Sequence, residues 1–219
     1  RYLEDKVQRQ KDLNETKLKL YQTQLNPHFL YNTLNTIKWE ARIRQMPRIA
    51  VLAENLAVIL RKSISSKLFI PLKEELETID SYVEVQEIRF TGRFLCEKEI
   101  PDQLEECLVP KMILQPLVEN AILHGLEGCE NGYICIYAGR EGDVLNISIT
   151  DNGCGMSPEI LAWINSPEPE KRDGHLGLYN IMRILKLYYG NEYGLKAEVT
   201  EDGTTVTLSL PVRMEGDDV

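Results

Sequence analysis

Apolar residues recur along residues 27–64 at the spacing of a helix face. Leu30, Leu34, Ile37 and Ala41 fall at i, i+4, i+7 and i+11. After a break at QMPRIA (45–50), Ile49, Leu52, Leu56 and Ile59 form a second stripe. Pro47 suits the first position of the second helix, since its missing N–H is unpaired there in any case. Two long helices with a short connection predict an antiparallel hairpin, which is half of a four-helix bundle, so a second copy would complete the core. Upstream, residues 1–24 are highly charged, with sparse apolar positions such as Leu3, Val7, Leu13 and Leu18. That pattern predicts an exposed or weakly coiled helix.

SISSKLFIP (63–71) ends the hairpin, and Leu72, Leu76, Ile79 and Val83 mark one face of a third helix. From about residue 93 the texture changes. RFLCEKEI (93–100) alternates like a strand, and PKMILQPLVENAILHGL (110–126) reads as a helix. GYICIYAGR and DVLNISITD are strands joined through Glu141-Gly142-Asp143. A helix opens at Ser157-Pro158, a polar loop of about nine residues follows, and LGLYNIMRILKLYYG is a further helix. The segment 195–212 is a closing hairpin turning at Asp202-Gly203. Helices mixed with hairpins predict an α+β layered domain, not a doubly wound parallel sheet.

Composition narrows the function. Lysine and arginine number 25 against 34 acidic residues, a net charge of −9. That balance argues against a nucleic-acid binder or a protein held on an anionic membrane surface. No apolar run approaches the ~18 residues of a membrane span. No signal peptide is visible and Arg1 comes first, so the expectation is the cytoplasmic part of a longer protein, tied to a membrane only through a missing amino-terminal region. The 5 cysteines are scattered without CxxC spacing and read as reduced thiols.

Candidate chemistry begins in YQTQLNPHFLYNTLN (21–35). Pro27 inside a helix costs roughly 3 kcal/mol through a lost hydrogen bond and a clash. His28 lies about 200° around the helix from Leu30, on a polar face with Asn32 and Asn35. Two readings stand: a surface histidine beside a tolerated kink, or a solvent-facing nucleophile whose Nδ1–H is held by Asn32 so that the Nε2 lone pair points outward. In ITDNGCGM (149–156), Asp151 ends a strand before Gly153 and Gly155. This is either a plain hairpin turn or a carboxylate placed for an exocyclic amine such as adenine's, with glycines that admit a flat ring. Glu119, Asn120 and His124 interrupt an apolar helix; they face water, or Asn120 gives an oxygen to Mg²⁺. Gly174 and Gly177 precede a helix whose N-terminus would suit a phosphate.

The words QLNPHFLYNTLN, LQPLVENAILHG, DNGCGM and HLGLYN, in that order, resemble the sensor histidine kinases of the YesM/LytS type across nearly the whole chain. The resemblance implies an upstream signalling helix (1–20), a dimerisation and phosphotransfer domain (21–92), an ATP-binding sandwich of the gyrase, Hsp90 and histidine-kinase type (93–213) and a tail (214–219). It implies that His28 accepts the phosphoryl group, with Glu119 as a polarising group beside Asn120; Asn32 completes the catalytic set through its spacing from His28. ATP and Mg²⁺ are the implied cofactors. Asn120 would hold the metal, His124 would lie near the phosphates, and Asp151 would read adenine between Gly153 and Gly155. Gly174, Gly177 and Asn180 would line the phosphate end beneath a lid at about 157–174. A homodimer and a response-regulator protein are the implied partners.

Three positions depart from the family pattern. Phe29 stands where many histidine kinases place an acidic base, His175 where the superfamily has a glycine, and Ile184 where relatives are expected to carry arginine. The rival readings are a nucleotide-binding dimeric scaffold without kinase activity and an ATPase of the gyrase or Hsp90 type.

Overall fold

The chain reverses after its first described helix through a capped turn. In the computed structural model, which describes residues 27–172, 174–201 and 203–216, helix α1 (Pro27–Ile43) ends with Gln45 at φ 56. Met46 N–H donates to the Ala41 carbonyl at 2.8 Å and Gln45 N–H to that of Arg42 at 3.1 Å, the paired bonds of a Schellman ending. Pro47 then opens helix α2 (Pro47–Ile64), as expected from its missing N–H. The two helices approach on small side chains: Ala41, Ala50, Ala53 and Ala57 are buried, and Arg42 pairs with Glu54 at 3.0 Å. The apolar stripes are wider than one helix–helix contact. Leu30, Leu34, Leu52 and Ile59 are half-buried, while Ile37, Ile49 and Leu56 are exposed. The helix predicted over residues 1–24 and its passage into Pro27 lie outside the described residues.

Contacts divide the chain between Ser66 and Lys67. The second unit is a five-stranded sheet in the order β2-β4-β5-β7-β6, formed by Phe94–Glu99 (β2), Gly132–Glu141 (β4), Val144–Asp151 (β5), Gly194–Thr200 (β6) and Gly203–Pro211 (β7). The β2–β4 pair is parallel and the others are antiparallel. A two-stranded sheet pairs Phe69–Pro71 (β1) with Leu108–Pro110 (β3). Period-two alternation buries Ile134, Ile136, Leu145, Ile147, Leu208 and Leu210 completely on one face. The helices of this unit are α3 (Leu72–Phe90), the short α4 (Asp102–Glu105), α5 (Gln115–Asn120), α6 (Pro158–Ile164) and α7 (Leu176–Tyr189). The α+β expectation, a helical hairpin followed by an α/β sandwich, holds.

Helix α3 buries Leu72, Leu76, Ile79 and Val83 in the second unit. One local expectation changes. The helix expected over 110–126 is three pieces. Pro110 ends a strand, Met112 adopts φ 60, and helix begins only at Gln115, passing into a π-helical turn at Ala121–Gly125. The break has a visible cause 37 residues upstream in sequence. The buried Glu75 carboxylate accepts the Met112 and Leu114 N–H groups, each at 3.0 Å, so this backbone has partners without being helical.

Candidate functional site

Strand β5 alternates half-buried and buried positions along its length, which puts Asp151 on the inner face at its end. The side chain is 4 % exposed. Its Oδ1 accepts the Gly153 N–H at 3.0 Å, closing the loop back onto its own strand. Burial pushes the Asp151 carboxyl above its ordinary range, with the Gly153 N–H opposing that rise. The second oxygen remains as an acceptor in a low-dielectric setting, the chemistry suited to an amine on a flat heterocycle.

The loop needs its glycines for space. A Cβ on Gly153 would fall 1.8 Å from the Gly125 carbonyl oxygen, and one on Gly125 would fall 2.7 Å from Asp151 Oδ1. Gly155, at φ 83, lies against Val199. Gly125 closes the π-helical turn, and its carbonyl accepts the Cys154 N–H at 2.9 Å. The wider winding of that turn carries His124 outward while Gly125 packs inward. Immediately before it, Glu119 is exposed and Asn120 is half-buried at the end of α5. The turn that ends in His124 and Gly125 is thus docked on Asp151, Gly153 and Cys154, with Asn120 directly before it in the chain.

The glycine-rich helix start arrives from the other side. A Cβ on Gly177 would stand 3.0 Å from Pro116 Cβ, so α7 begins against the start of α5. Gly174, at φ 85, and Asn180 lie on exposed surface. The His175 ring sits 6.3 Å from that of His124 and 5.9 Å from Trp163. Burial, then the charges of His124 and Arg172, hold His175 below its ordinary range. Asp173 of this segment lies outside the described residues. Within residues 157–172, Trp163 Nε1–H donates to the Glu170 carbonyl at 2.8 Å.

His28 belongs to the other unit. It is exposed on α1, and Asn32 Nδ2 lies 3.2 Å from its Nδ1. The Asn32–His28 contact expected from the spacing is present, and the same nitrogen lies 3.5 Å from Nε2. An Asn32 amide that presents its nitrogen donates to the ring, and one turned over to present its oxygen accepts from Nδ1–H.

The sequence pattern did not single out Gly125 or Thr204. Thr204 is directly opposite Asp151 in the β5–β7 register, is 1 % exposed, and has no hydrogen-bond partner for Oγ1 among the described residues. Directly paired residues share a face of the sheet. A buried unpaired hydroxyl beside a buried carboxylate, ringed by glycines whose Cβ atoms would fill the space, fits a nucleobase that supplies the missing hydrogen bonds. On that observation the residues present suit an adenine nucleotide. No described helix is long and apolar enough to cross a membrane.

Comparison with known proteins gives the same architecture. The family described as Histidine kinase matches residues 16–94, and the family of histidine kinase-, DNA gyrase B- and HSP90-like ATPases matches residues 108–214. The chain is 37% identical to Sensor histidine kinase YesM of Bacillus subtilis over 97% of its own length and 36% of the relative's. It is 29% identical to Sensor protein LytS of the same organism, over 92% of its length and 35% of the relative's. The chain therefore spans about a third of the length of these curated relatives. The histidine kinase domain of a blue-light activated kinase from Erythrobacter litoralis EL346 shares the fold, with TM-score 0.52 and 17% identity over 85% of this chain and 94% of that one. The histidine kinase ThkA, solved in complex with response regulator protein TrrA, gives TM-score 0.50 and 19% identity over 96% of this chain and 65% of that one.

Proposed function

The chain belongs to the sensor histidine kinases of the YesM/LytS type, as their catalytic region, and from that premise we propose that it phosphorylates His28 from ATP and passes the phosphoryl group to an aspartate of a response regulator. Magnesium-bound ATP supplies the γ-phosphoryl group, and the metal offsets charge that develops during transfer. The protein's share is positioning. Asp151 and Thr204 hold the adenine, with Gly125, Gly153 and Gly155 leaving room for it. Asn120 offers its side-chain oxygen to the metal, and His124, Gly174, Gly177 and Asn180 border the phosphates. Asn32, with its amide turned over, accepts the His28 Nδ1–H and bares the Nε2 lone pair for phosphorylation. Phe29 has no proton to exchange, so Glu119, exposed beside Asn120, is the proposed acid–base group.

The partners follow the same reading. Ile37, Trp39, Ile43, Met46, Ile49 and Leu56 are large, apolar and exposed on one helical hairpin. A cleft of about 260 Å³ among them is lined by Thr36, Ile37, Glu40, Ala41, Arg44, Met46 and Ile49. Such a surface supports a homodimer closing a four-helix bundle. The solved ThkA–TrrA complex supports a response regulator as the second partner.

The observation that carries the nucleotide half is the unpaired Thr204 hydroxyl facing the Asp151 end of β5. The test is incubation with γ-labelled ATP and Mg²⁺. The expected product is an acid-labile, base-stable adduct on the protein that disappears in His28→Gln. Phosphate release without an adduct supports the ATPase reading instead, and nucleotide binding without either supports the scaffold.

A further inference from the structure

Glu75 is an acid with no evident business in the protein interior. It is 1 % exposed, on the helix that follows the hairpin after residues 65–71. Its two oxygens are committed separately: Oε2 accepts from Met112 N–H and Oε1 from Leu114 N–H, both at 3.0 Å. These donors lie just ahead of α5, whose own N-cap, Leu114, offers no side-chain acceptor. A helix start without a capping side chain leaves N–H groups unpaired, and a carboxylate answers both that need and the positive end of the helix dipole. Between the two contacts Met112 is held at φ 60, a region that costs a non-glycine residue about 1–2 kcal/mol. Strain of this kind persists where surrounding contacts over-determine the backbone.

We infer that Glu75 is a positioning residue for the proposed reaction, fixing from outside the turn that sets where α5 begins and therefore where Glu119 and Asn120 stand. Residues 112–125 are pinned at both ends. Glu75 holds the entry, and the Cys154 N–H holds the exit at the Gly125 carbonyl. The exit contact belongs to the adenine end of the site, while the entry contact governs the metal end. Loss of Glu75 therefore acts on the metal and leaves the base contact in place. Burial raises the Glu75 carboxyl above its ordinary range, and the N–H groups of Met112, Leu114, Ile113 and Gln115 counter it.

This inference rests on the reading of Asn120 as the metal-side residue. The experiment measures ATP affinity by calorimetry, with and without Mg²⁺, for the 219-residue chain and for Glu75→Gln, alongside thermal melts. Glutamine keeps one acceptor oxygen and turns an amide donor toward the other N–H. The magnesium-dependent gain in affinity is expected to fall by about tenfold, the usual scale for residues that orient a metal ligand, with metal-free affinity within about twofold of wild type. Glycine accepts positive φ without cost, so the double variant Glu75→Gln/Met112→Gly is expected to regain most of the magnesium effect. An equal loss with and without metal, an unchanged magnesium gain, or no rescue by Met112→Gly would overturn the inference. Should Glu75→Gln fail to fold, a folded double variant with the magnesium gain restored supports it, and an unfolded one refutes it. A wild type whose ATP affinity ignores Mg²⁺ defeats the Asn120 reading and this inference with it, whereas a variant that keeps the wild-type gain defeats this inference alone.

Discussion

Gly125 and Asp151 touch so closely that no side chain fits between them: a Cβ on Gly125 would lie 2.7 Å from both Cγ and Oδ1 of Asp151 and 2.9 Å from Oδ2. The π-helical turn thus forms one wall of the carboxylate's pocket. Gly125→Ala must displace either the carboxylate or the turn. The expected cost is ~1–3 kcal/mol of stability, as for other overpacked interiors. ADP affinity should weaken at least about tenfold, or ~1.4 kcal/mol. Calorimetry with ADP and a thermal melt check both. Unaltered ADP affinity would show that the base is not read at Asp151.

Asp151→Asn separates stability from binding. Burial raises the Asp151 carboxyl above its ordinary 3.8, so the folded state takes up the proton more readily than the unfolded chain. Stability from this group is fully present below about 3.8 and is lost as pH rises through the higher folded-state value. Asparagine keeps the acceptor for Gly153 N–H and removes the buried charge. The variant should therefore melt higher than wild type at neutral pH, with the difference vanishing in acid. It should also lose adenine binding, because its amide turns N–H donors toward an amine that needs an acceptor. Melting curves across pH 3 to 7, paired with ADP titration, read out both effects, and a variant that binds ADP normally would refute the role.

Much of this arrangement is legible in local pattern, and the exceptions share a physical reason. Strand β5 alternates so regularly that its inner face and its terminal aspartate follow from period two alone. Helix α7 starts at Leu176 and stops before Gly190 at φ 80, where the sequence places it. What local pattern misses is decided by partners far along the chain. Residues 110–114 look helical until Glu75 supplies acceptors for two of their N–H groups. Gly125 reads as an ordinary helix end until Asp151 of β5 and Cys154 of the loop after it pack against it. Thr204 reads as one more strand threonine until the register sets it opposite Asp151. The stripes on the hairpin overstate burial because periodicity reports what a face can cover, not how many helices are present to cover it.

Asn32 stands beside the His28 ring, with Nδ2 3.2 Å from Nδ1 and 3.5 Å from Nε2, and its proposed role is to set the tautomer. Removing the amide in Asn32→Ala should leave the imidazole with mixed tautomers, visible as a change in its ring nitrogen resonances. Autophosphorylation should slow by about a hundredfold, the low end for a positioned group in proton transfer. Nucleotide affinity should not change, since Asn32 belongs to the hairpin unit. A matching fall in ATP affinity would mean that the substitution has damaged more than the histidine.

Thr204 offers the cleanest separation of folding from ligand recognition. On the outer face of the same strand pair every neighbouring hydroxyl is matched: Thr205 with Thr150 at 3.0 Å, Thr207 with Ser148 at 2.9 Å, and Ser209 with Asn146 at 2.7 Å. Thr204 faces inward, opposite Asp151, and its hydroxyl is buried without a partner among the described residues. An unmet buried hydroxyl costs roughly 1–3 kcal/mol, so replacing it by a methyl of similar size should not weaken the fold. Thr204→Val is accordingly expected to melt at the wild-type temperature or a few degrees higher. If the hydroxyl exists to complete the adenine contacts, the same change should weaken ADP binding by about tenfold. A packing role predicts the reverse, with stability falling and ADP affinity intact, so one melt and one titration decide between them.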